Sequence, residues 1–319
     1  MTLPARRDVL KTFALTGLAA KTLSSTSMAF ASEAIPKPAN PLNVRFCLNT
    51  STIRGQKLPL DEVVDLVAAA GYDGIEPWIR EIEAYRDSGK SISDLKKRIA
   101  DHGLRVESAI GFAQWIVDDD AQRKKGLEQL KRDMDLLQAI GGNLIAAPPI
   151  GAHTQDASRV DLFAAADRYR DALAVGREIG VTPQLEVWGF SKNLSRLGET
   201  VFVAVESADP DACILPDVYH IYKGGSDIEG LRVVSGRTIR CFHFNDYPAD
   251  PPRSEINDSK RVYPGDGIAP WGKIIGILEE IGFNGAVSLE LFNETYWQQD
   301  SSQVLATGLQ KMKSVFSRT

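Results

Sequence analysis

The chain has 319 residues, 43% of them hydrophobic and 25% charged, and its formal net charge is −5. This composition is typical of a soluble globular protein with a large core, arranged in one or two domains. The acidic balance, with no block of Lys or Arg, argues against a surface that binds nucleic acids.

The N-terminal segment has the features of an export signal. Arg6 and Arg7 precede a modest apolar stretch, as in a twin-arginine signal, and a small-x-small cleavage pattern ends at Ala31. We expect residues 1–31 to be a cleaved signal that directs the protein to the periplasm, followed by a Pro-rich leader over residues 32–43. A frayed amphipathic helix is the alternative. No later stretch is long and apolar enough to predict a membrane span.

From residue 44 onward one pattern recurs, in which an amphipathic helix, a glycine and a short apolar run follow one another. Eight strand-like runs, most of them followed by a helix, predict parallel strands and a single (β/α)8 TIM barrel over residues 44–319. A doubly wound open sheet is the runner-up, but the first strand is not followed by the Gly-rich phosphate loop that such a sheet normally has. Glycines at the helix ends are expected to take the left-handed conformation. They are Gly71, Gly103, Gly141, Gly180 and Gly282.

The three cysteines, Cys47, Cys213 and Cys241, each lie inside an apolar, strand-like run. An odd number of cysteines does not make a disulfide framework, so small buried thiols are predicted. A disulfide between Cys213 and Cys241 is the alternative if their strands are neighbours.

Four strand-like runs, the fifth to the eighth, carry a residue that can bind a metal. Glu186, His243 and Glu290 are each flanked by apolar residues, so alternation along the strand turns them into the barrel, and Asp217 has the equivalent place on the sixth strand. Three carboxylates and an imidazole at one barrel mouth would repel one another and resist desolvation, and a divalent cation removes that cost. This donor set suits Mn²⁺, Mg²⁺ or Co²⁺, with Zn²⁺ as a further candidate. Four separately satisfied polar residues are the alternative.

The stretch LPDVYHIYKGG, residues 215–225, is interpreted as a strand through Val218 that turns into a loop at Lys223. Asp217 alone is compatible with a helix cap as well as with a metal ligand. His220 follows it closely and is predicted to contact the substrate, with metal ligation or support of the ligands as alternatives.

Further residues are candidates for the substrate pocket. Glu76 is expected to point inward from the second strand, although a surface or structural acid fits the pattern as well. Arg261 precedes a Pro-Gly-Asp-Gly turn and is predicted to hold substrate oxygens over the mouth. Trp188 is a candidate wall for a sugar-sized pocket, with core packing as the alternative. His153 is a weaker candidate, and His102 is interpreted as structural.

Together these motifs resemble the xylose isomerase-like barrel superfamily of sugar isomerases and epimerases. LEV, LPDVYH, FHFND, YPGDG and SLELF match its Glu, Asp-x-x-His, His-x-x-Asp, Pro-Gly-x-Gly and Glu motifs in order. Within the superfamily, the sequence of DVYHIYKGGSDIEGL and that of the C-terminal region most resemble those of the inosose (2-keto-myo-inositol) isomerases. The resemblance implies that Glu186, Asp217, His243 and Glu290 hold one divalent metal ion.

The resemblance also implies an isomerase or epimerase, which we expect to transfer a proton next to a carbonyl through an enediolate. Glu186 and Glu290 are on strands far apart around the barrel, so we expect them to flank the substrate as the acid–base pair. The partner is then a small polyol or keto-sugar. A metal-dependent lyase or dehydratase acting on keto-sugars, ketoglycosides or a dehydroshikimate-like substrate is the first alternative, because the same enolate can expel a β-substituent. A non-catalytic sugar-binding protein is the second. The sequence leaves the oligomeric state open, a homo-oligomer included.

Overall fold

The computed structural model describes residues 42–317, in which strands and helices alternate along the chain. The strands are β1 (Arg45–Asn49), β2 (Gly74–Glu76), β3 (Arg105–Val106), β4 (Leu144–Ala147), β5 (Thr182–Glu186), β6 (Ile214–Leu215), β7 (Cys241–Phe244) and β8 (Ala286–Leu289). The helices are α1 (Leu60–Ala70), α2 (Ile79–Asp87), α3 (Ile92–Asp101), α4 (Asp120–Ala139), α5 (Leu162–Ile179), α6 (Leu197–Glu206), α7 (Val218–Lys223), α8 (Trp271–Glu280) and α9 (Ser301–Phe316). Short 3₁₀ helices lie in the loops at Thr50–Gln56, Ile228–Val233, Gly236–Thr238, Asp258–Lys260 and Tyr296–Gln298.

The strands form a closed parallel barrel. Ladder hydrogen bonds join five strands in the order β3-β2-β1-β8-β7 and three in the order β4-β5-β6. Single bridges complete the ring, because Ala109 pairs with Ile145 after β3 and Asp217 pairs with His243 after β6. Since β8 also pairs with β1, the ring closes between the last strand and the first. This confirms the predicted (β/α)8 TIM barrel over the open doubly wound sheet.

The buried hydrophobic residues form two clusters, one on each face of the barrel strands. Leu185, Phe242 and Leu289 are fully buried in the large cluster that includes the surrounding helices. Cys47 and Cys241 belong to a smaller cluster of mostly small side chains on the opposite face of the strands. All three cysteines are free and buried, as predicted, and no disulfide forms between the sixth and seventh strands.

Capping residues set the helix boundaries. Asp119, Asp161 and Asp300 precede α4, α5 and α9, and each carboxylate accepts a hydrogen bond from a backbone N–H in the first turn. Gly71 and Gly180 follow α1 and α5 with φ values of 87° and 86°, a region in which glycine avoids the steric cost of a Cβ atom. The other three glycines that were predicted to be left-handed also have positive φ.

The segment from 215 to 225 differs from its prediction. The sixth strand ends at Leu215, and α7 begins at Val218, where the strand was expected to continue. The reason is Asp217, whose Oδ1 accepts the backbone N–H of His220 at 2.7 Å and caps the helix. Lys223, which was expected in the loop, is the last residue of this helix.

The predicted export signal, residues 1–31, and most of the predicted leader, residues 32–43, lie outside the described residues and stay predictions. Among residues 42–317, no helix combines the length and the apolar character that a bilayer crossing requires.

Asp133 on α4 gives a prediction for stability. Its side chain is buried, and burial together with Glu83 raises its pKa from 3.8 to about 7. Because this carboxyl group binds its proton more tightly in the folded state, the fold loses stability as the pH rises from about 4 to about 7. Asp133→Asn should therefore increase the free energy of unfolding, by about 1–2 kcal/mol more at pH 8 than at pH 5, measured by urea denaturation.

The exposed Asp135 on the same helix is the matched control. Asp135→Asn should have a similar, small effect at both pH values. An equal effect of Asp133→Asn at pH 5 and pH 8 would contradict the prediction.

Candidate active site

Five polar side chains, four from the consecutive strands β5 to β8 and one from β2, meet at the carboxyl end of the barrel. Each is buried, with at most 3% of its surface exposed. They are Glu76 (β2), Glu186 (β5), Asp217 (after β6), His243 (β7) and Glu290 (after β8). Burial of so many ionisable groups at one place is costly unless they are paired or bind a ligand, so this cluster is the candidate active site.

His243 lies at the centre of the cluster. Its Nε2 contacts the Glu76 carboxylate at 3.1 and 3.2 Å. Its Nδ1 forms no hydrogen bond of acceptable geometry to any described residue. Three carboxylates nevertheless surround that atom, and its distances to oxygens of Glu290, Asp217 and Glu186 are 3.3, 3.7 and 3.9 Å. The structure thus brings together the four residues that were predicted from the sequence to be metal ligands.

This arrangement fits a divalent cation. Ligand atoms that bind one cation at about 2.1 Å lie roughly 3.0–3.5 Å apart, close to the spacing around His243 Nδ1. Ligand atoms of Asp217, His243 and Glu290 all lie within 4.8 Å of one another. Among the described residues, Glu186 Oε2 is a further buried oxygen without a hydrogen-bond partner. Oxygen-rich donors with one imidazole suit Mn²⁺, Mg²⁺, Co²⁺ or Zn²⁺.

Glu76 holds His243 in place through Nε2, the ring nitrogen that does not face the other three carboxylates. Its carboxylate also accepts hydrogen bonds from Ser288 Oγ at 2.7 Å and from Asn49 Nδ2 at 2.9 Å. Burial alone would raise the pKa of Glu76, but His243 and the hydrogen bond from Ser288 lower it below its ordinary value. Glu76 therefore points inward, as the sequence suggested, and its predicted contact with the substrate stays a prediction.

Asp217 serves the helix and the cluster at once. While Oδ1 caps α7, Oδ2 accepts hydrogen bonds from Asn245 Nδ2 at 2.8 Å and from Arg261 Nη1 at 3.0 Å. The two interpretations that the sequence offered for this residue, a helix cap and a site residue, therefore describe its two oxygens.

Arg261 is buried at the side of the cluster rather than over its mouth, with 1% of its surface exposed. Nη1 bridges Asp217 and Glu290 at 3.0 and 2.8 Å, and Nη2 contacts Asp258 at 2.5 Å. Burial would lower the pKa of Arg261, but these three carboxylates raise it above its ordinary value. Its guanidinium group thus offsets part of the buried negative charge, and the predicted contact with substrate oxygens stays a prediction.

His220 presents an unused donor to the same region. Arg261 Nη2 lies 2.9 Å from His220 Nε2, and because a guanidinium only donates, Nε2 accepts and the ring proton is on Nδ1. Burial lowers the pKa of His220 to about 3, so the ring is neutral. Nδ1 is buried and has no hydrogen-bond partner among the described residues.

The two carboxylates expected to act as acid and base have opposite environments. Burial raises the pKa of Glu186 to about 8, and His243 only partly offsets this effect. Burial acts on Glu290 in the same direction, but His243 and Arg261 outweigh it and hold the pKa of Glu290 well below its usual range. Carboxyl groups whose pKa values are driven apart are typical of acid–base pairs.

Aromatic rings border the cluster on the side of β5. Trp188 is half-buried and contacts Phe112, Phe190 and His153, with ring centroids 6.3, 5.1 and 5.6 Å apart. This arrangement is compatible with the predicted wall of a sugar-sized pocket. His102 lies elsewhere, partly exposed on the surface, where it contacts Asp65 at 2.8 Å.

Sequence reasoning missed Asn49 and Ser288, which are both fully buried. Asn49 Nδ2 donates to Glu290 Oε1 at 3.2 Å as well as to Glu76. The signal was present for Asn49, because it is the last residue of the first strand and follows the apolar residues Phe46, Cys47 and Leu48. Ser288 lies between Val287 and Leu289, the same apolar–polar–apolar pattern as the ligand candidates.

A family model described as xylose isomerase-like TIM barrel matches residues 64–315. The chain belongs to this family. Within the family, the inosose isomerase of Bacillus velezensis is 24% identical over 86% of this chain and 98% of its own. The D-psicose 3-epimerase of Agrobacterium fabrum is 23% identical over 73% of this chain and 79% of its own.

Two further family comparisons bear on fold and on reaction class. A crystal structure of the IolI protein with a zinc atom has a TM-score of 0.78 and 22% identity, covering 86% of this chain and 99% of that one. The 3-dehydroshikimate dehydratase of Pseudomonas putida is 24% identical over 79% of this chain, which spans 39% of the dehydratase. The relatives of this family member thus include isomerases, epimerases and a dehydratase.

Proposed function

We propose that the protein is a divalent-metal-dependent isomerase or epimerase that acts on a sugar or keto-inositol by moving a proton next to a carbonyl. The observation that carries this proposal is the Nδ1 atom of His243, which has no hydrogen-bond partner among the described residues and is surrounded by carboxylates from three other strand ends. The isomerases and epimerases among the relatives support the reaction class.

Glu186, Asp217, His243 and Glu290 would hold the cation. When bound, a divalent cation supplies Lewis-acid polarisation of a carbonyl oxygen. Mn²⁺, Mg²⁺ and Co²⁺ are favoured by the oxygen-rich donor set, and the zinc in the IolI structure supports Zn²⁺ as a further candidate. Glu76 would fix the orientation of the His243 ring through Nε2.

The same carboxylates and their neighbours would bind the substrate and move the proton. Glu290, which His243 and Arg261 keep ionised, would accept the proton, and Glu186, on a strand far from it around the barrel, would return it. His220 Nδ1–H is suited to donate a hydrogen bond to a substrate oxygen, because that atom lacks a partner among the described residues. Trp188 would pack against the sugar ring.

Replacement of Glu290 by Gln tests the assigned proton acceptor. The amide keeps the size of the side chain but cannot accept the proton, so exchange of the substrate C–H with solvent deuterium should fall by about 10²-fold or more. The measurement is an NMR screen of keto-inositols and ketoses in D₂O. Glu294→Gln, at an exposed position in the same loop, is the control and should retain the wild-type rate. Near-wild-type exchange by Glu290→Gln would refute the assignment.

The cation itself is tested by His243→Ala. We expect the purified wild-type protein to contain about one equivalent of divalent metal and the variant to lose most of it, because the imidazole is the central donor of the cluster. Elemental analysis after dialysis gives the stoichiometry, and chelation should abolish deuterium exchange. His102→Ala, on the surface, should retain the metal. Metal bound equally well by His243→Ala would show that the ion lies elsewhere.

A lyase or dehydratase is the second candidate function, and the Pseudomonas putida dehydratase favours it. The same residues would form the enolate, which then loses a β-substituent instead of being reprotonated. Product analysis distinguishes the two reactions, because isomerisation conserves mass whereas elimination produces an absorbing enone. A metal-free protein that binds sugars without deuterium exchange would instead support the non-catalytic alternative.

We also propose that residues 1–31 export the protein to the periplasm and that residues 44–319 are its catalytic domain. The paired Arg6 and Arg7 before an apolar stretch support this proposal. Arg6→Lys/Arg7→Lys should retain the full-length chain in the cytoplasm, measured by fractionation of bacterial cells. Wild-type protein that stays in the cytoplasmic fraction would contradict it.

A further inference from the structure

Arg54 is a half-buried cation that forms no ion pair with an acid among the described residues. It lies in the 3₁₀ helix that follows β1, with its guanidinium carbon 3.8 Å from the centre of the Trp78 ring and 5.3 Å from that of Phe292. Its Nε and Nη2 atoms are buried and have no hydrogen-bond partner among residues 42–317. Burial of unsatisfied charged donors is costly, so such a group is expected to meet an acceptor that the chain does not provide.

Arg261 shows what a satisfied guanidinium looks like in the same region. Its guanidinium carbon lies 4.9 Å from the centre of the Phe292 ring, and it pairs with three carboxylates. Arg54 pairs with none of the described acids within 4.0 Å. Burial and the neighbouring Arg80 lower the pKa of Arg54 to about 10, although Glu81 and Glu290 act in the opposite direction, and Arg54 is still charged at neutral pH. The nearby Glu81 uses its Oε2 to accept hydrogen bonds from Thr50 and Trp78.

A short series of contacts connects Arg54 to the candidate active site. Glu290 Oε1 accepts from Asn49 Nδ2 at 3.2 Å, and Asn49 Oδ1 accepts from Trp78 Nε1 at 3.0 Å. Arg54 then lies against the indole of Trp78. One amide and one indole ring thus separate the unpaired guanidinium from a carboxylate of the cluster.

A cavity next to Arg54 offers room for a ligand group. Its volume is about 330 Å³, and its polar lining includes Arg54, Lys57 and Arg80 against the single acid Glu81. Arg80 also lies over the Trp78 ring, at 4.3 Å from its centre. Two guanidinium groups on one indole repel each other, and an anion between or beside them would offset that repulsion.

We propose that Arg54, with Lys57 and Arg80, binds an oxyanion substituent of the substrate, either a carboxylate or a phosphate. An oxyanion supplies acceptors for Nε and Nη2 in the fork geometry that arginine favours. This assignment rests on the proposed function, and it requires the substrate to extend past Asn49 and Trp78, which lie between Glu290 and Arg54.

The test compares charged and neutral sugars on the full-length protein. Isothermal titration calorimetry with D-glucuronate, D-glucose 6-phosphate and D-glucose should give at least tenfold tighter binding of one or both anionic sugars. Arg54→Gln should weaken the anionic sugar by about 10–100-fold and leave the affinity for D-glucose unchanged. The preferred anionic sugar then distinguishes a carboxylate from a phosphate. Arg86→Gln, which removes an exposed cation paired with Asp87, is the charge-matched control and should behave as wild type.

Equal affinity of the wild type for all three sugars, or no measurable binding of any, overturns the proposal. Unchanged affinity of Arg54→Gln for the anionic sugar overturns it as well. If the variant does not fold, as judged by circular dichroism, the wild-type comparison still decides. The experiment measures binding without turnover. A protein that binds an anionic sugar through Arg54 but incorporates no deuterium therefore contradicts the proposed function and leaves this subsite standing.

Discussion

The burial of several carboxylates around one imidazole is the constraint on which the site depends. Glu76, Glu186, Asp217 and Glu290 cannot all be ionised in a dry barrel mouth unless positive charge is close to them. Arg261 and a protonated His243 provide that charge in the protein alone, and the pKa of His243 is raised well above its ordinary value by Glu290 and Glu76 in spite of burial. In the proposed function a bound cation would take over this role and leave the imidazole neutral.

The barrel fold brings these buried residues together at one place. Parallel strands that form a ring place their carboxyl ends at one mouth, so single residues from distant parts of the chain converge without any loop having to be rigid. Helices capped by aspartates and ended by glycines fix the strands from outside. The hydrogen bonds of Asn49, Ser288 and Asn245 then hold the carboxylates at angles that strand position alone does not set.

The strand set and the cluster were predictable because their signals are local. An apolar–polar–apolar triplet identifies Glu186, His243 and Glu290 from three residues each. Pairings such as Glu76 with His243 join residues 167 positions apart, and no local pattern encodes them. The same holds for the ion pairs of Arg261 and for the contacts of Arg54 with Trp78 and Phe292. Helix α7 was missed because its apolar residues also fit a strand. In addition, its N-cap residue, Asp217, was interpreted mainly as a member of the cluster.

That shared residue limits which sequences this barrel can accept. Serine, threonine or asparagine would cap α7 about as well as Asp217 does. None of them offers a second, negatively charged oxygen to Asn245 and Arg261. Exchange at this position is therefore restricted by two independent demands on one side chain. A substitution of Asp217 would remove either the cap of α7 or the contacts with Asn245 and Arg261. In both cases the position of His220, three residues further on in α7, would change as well.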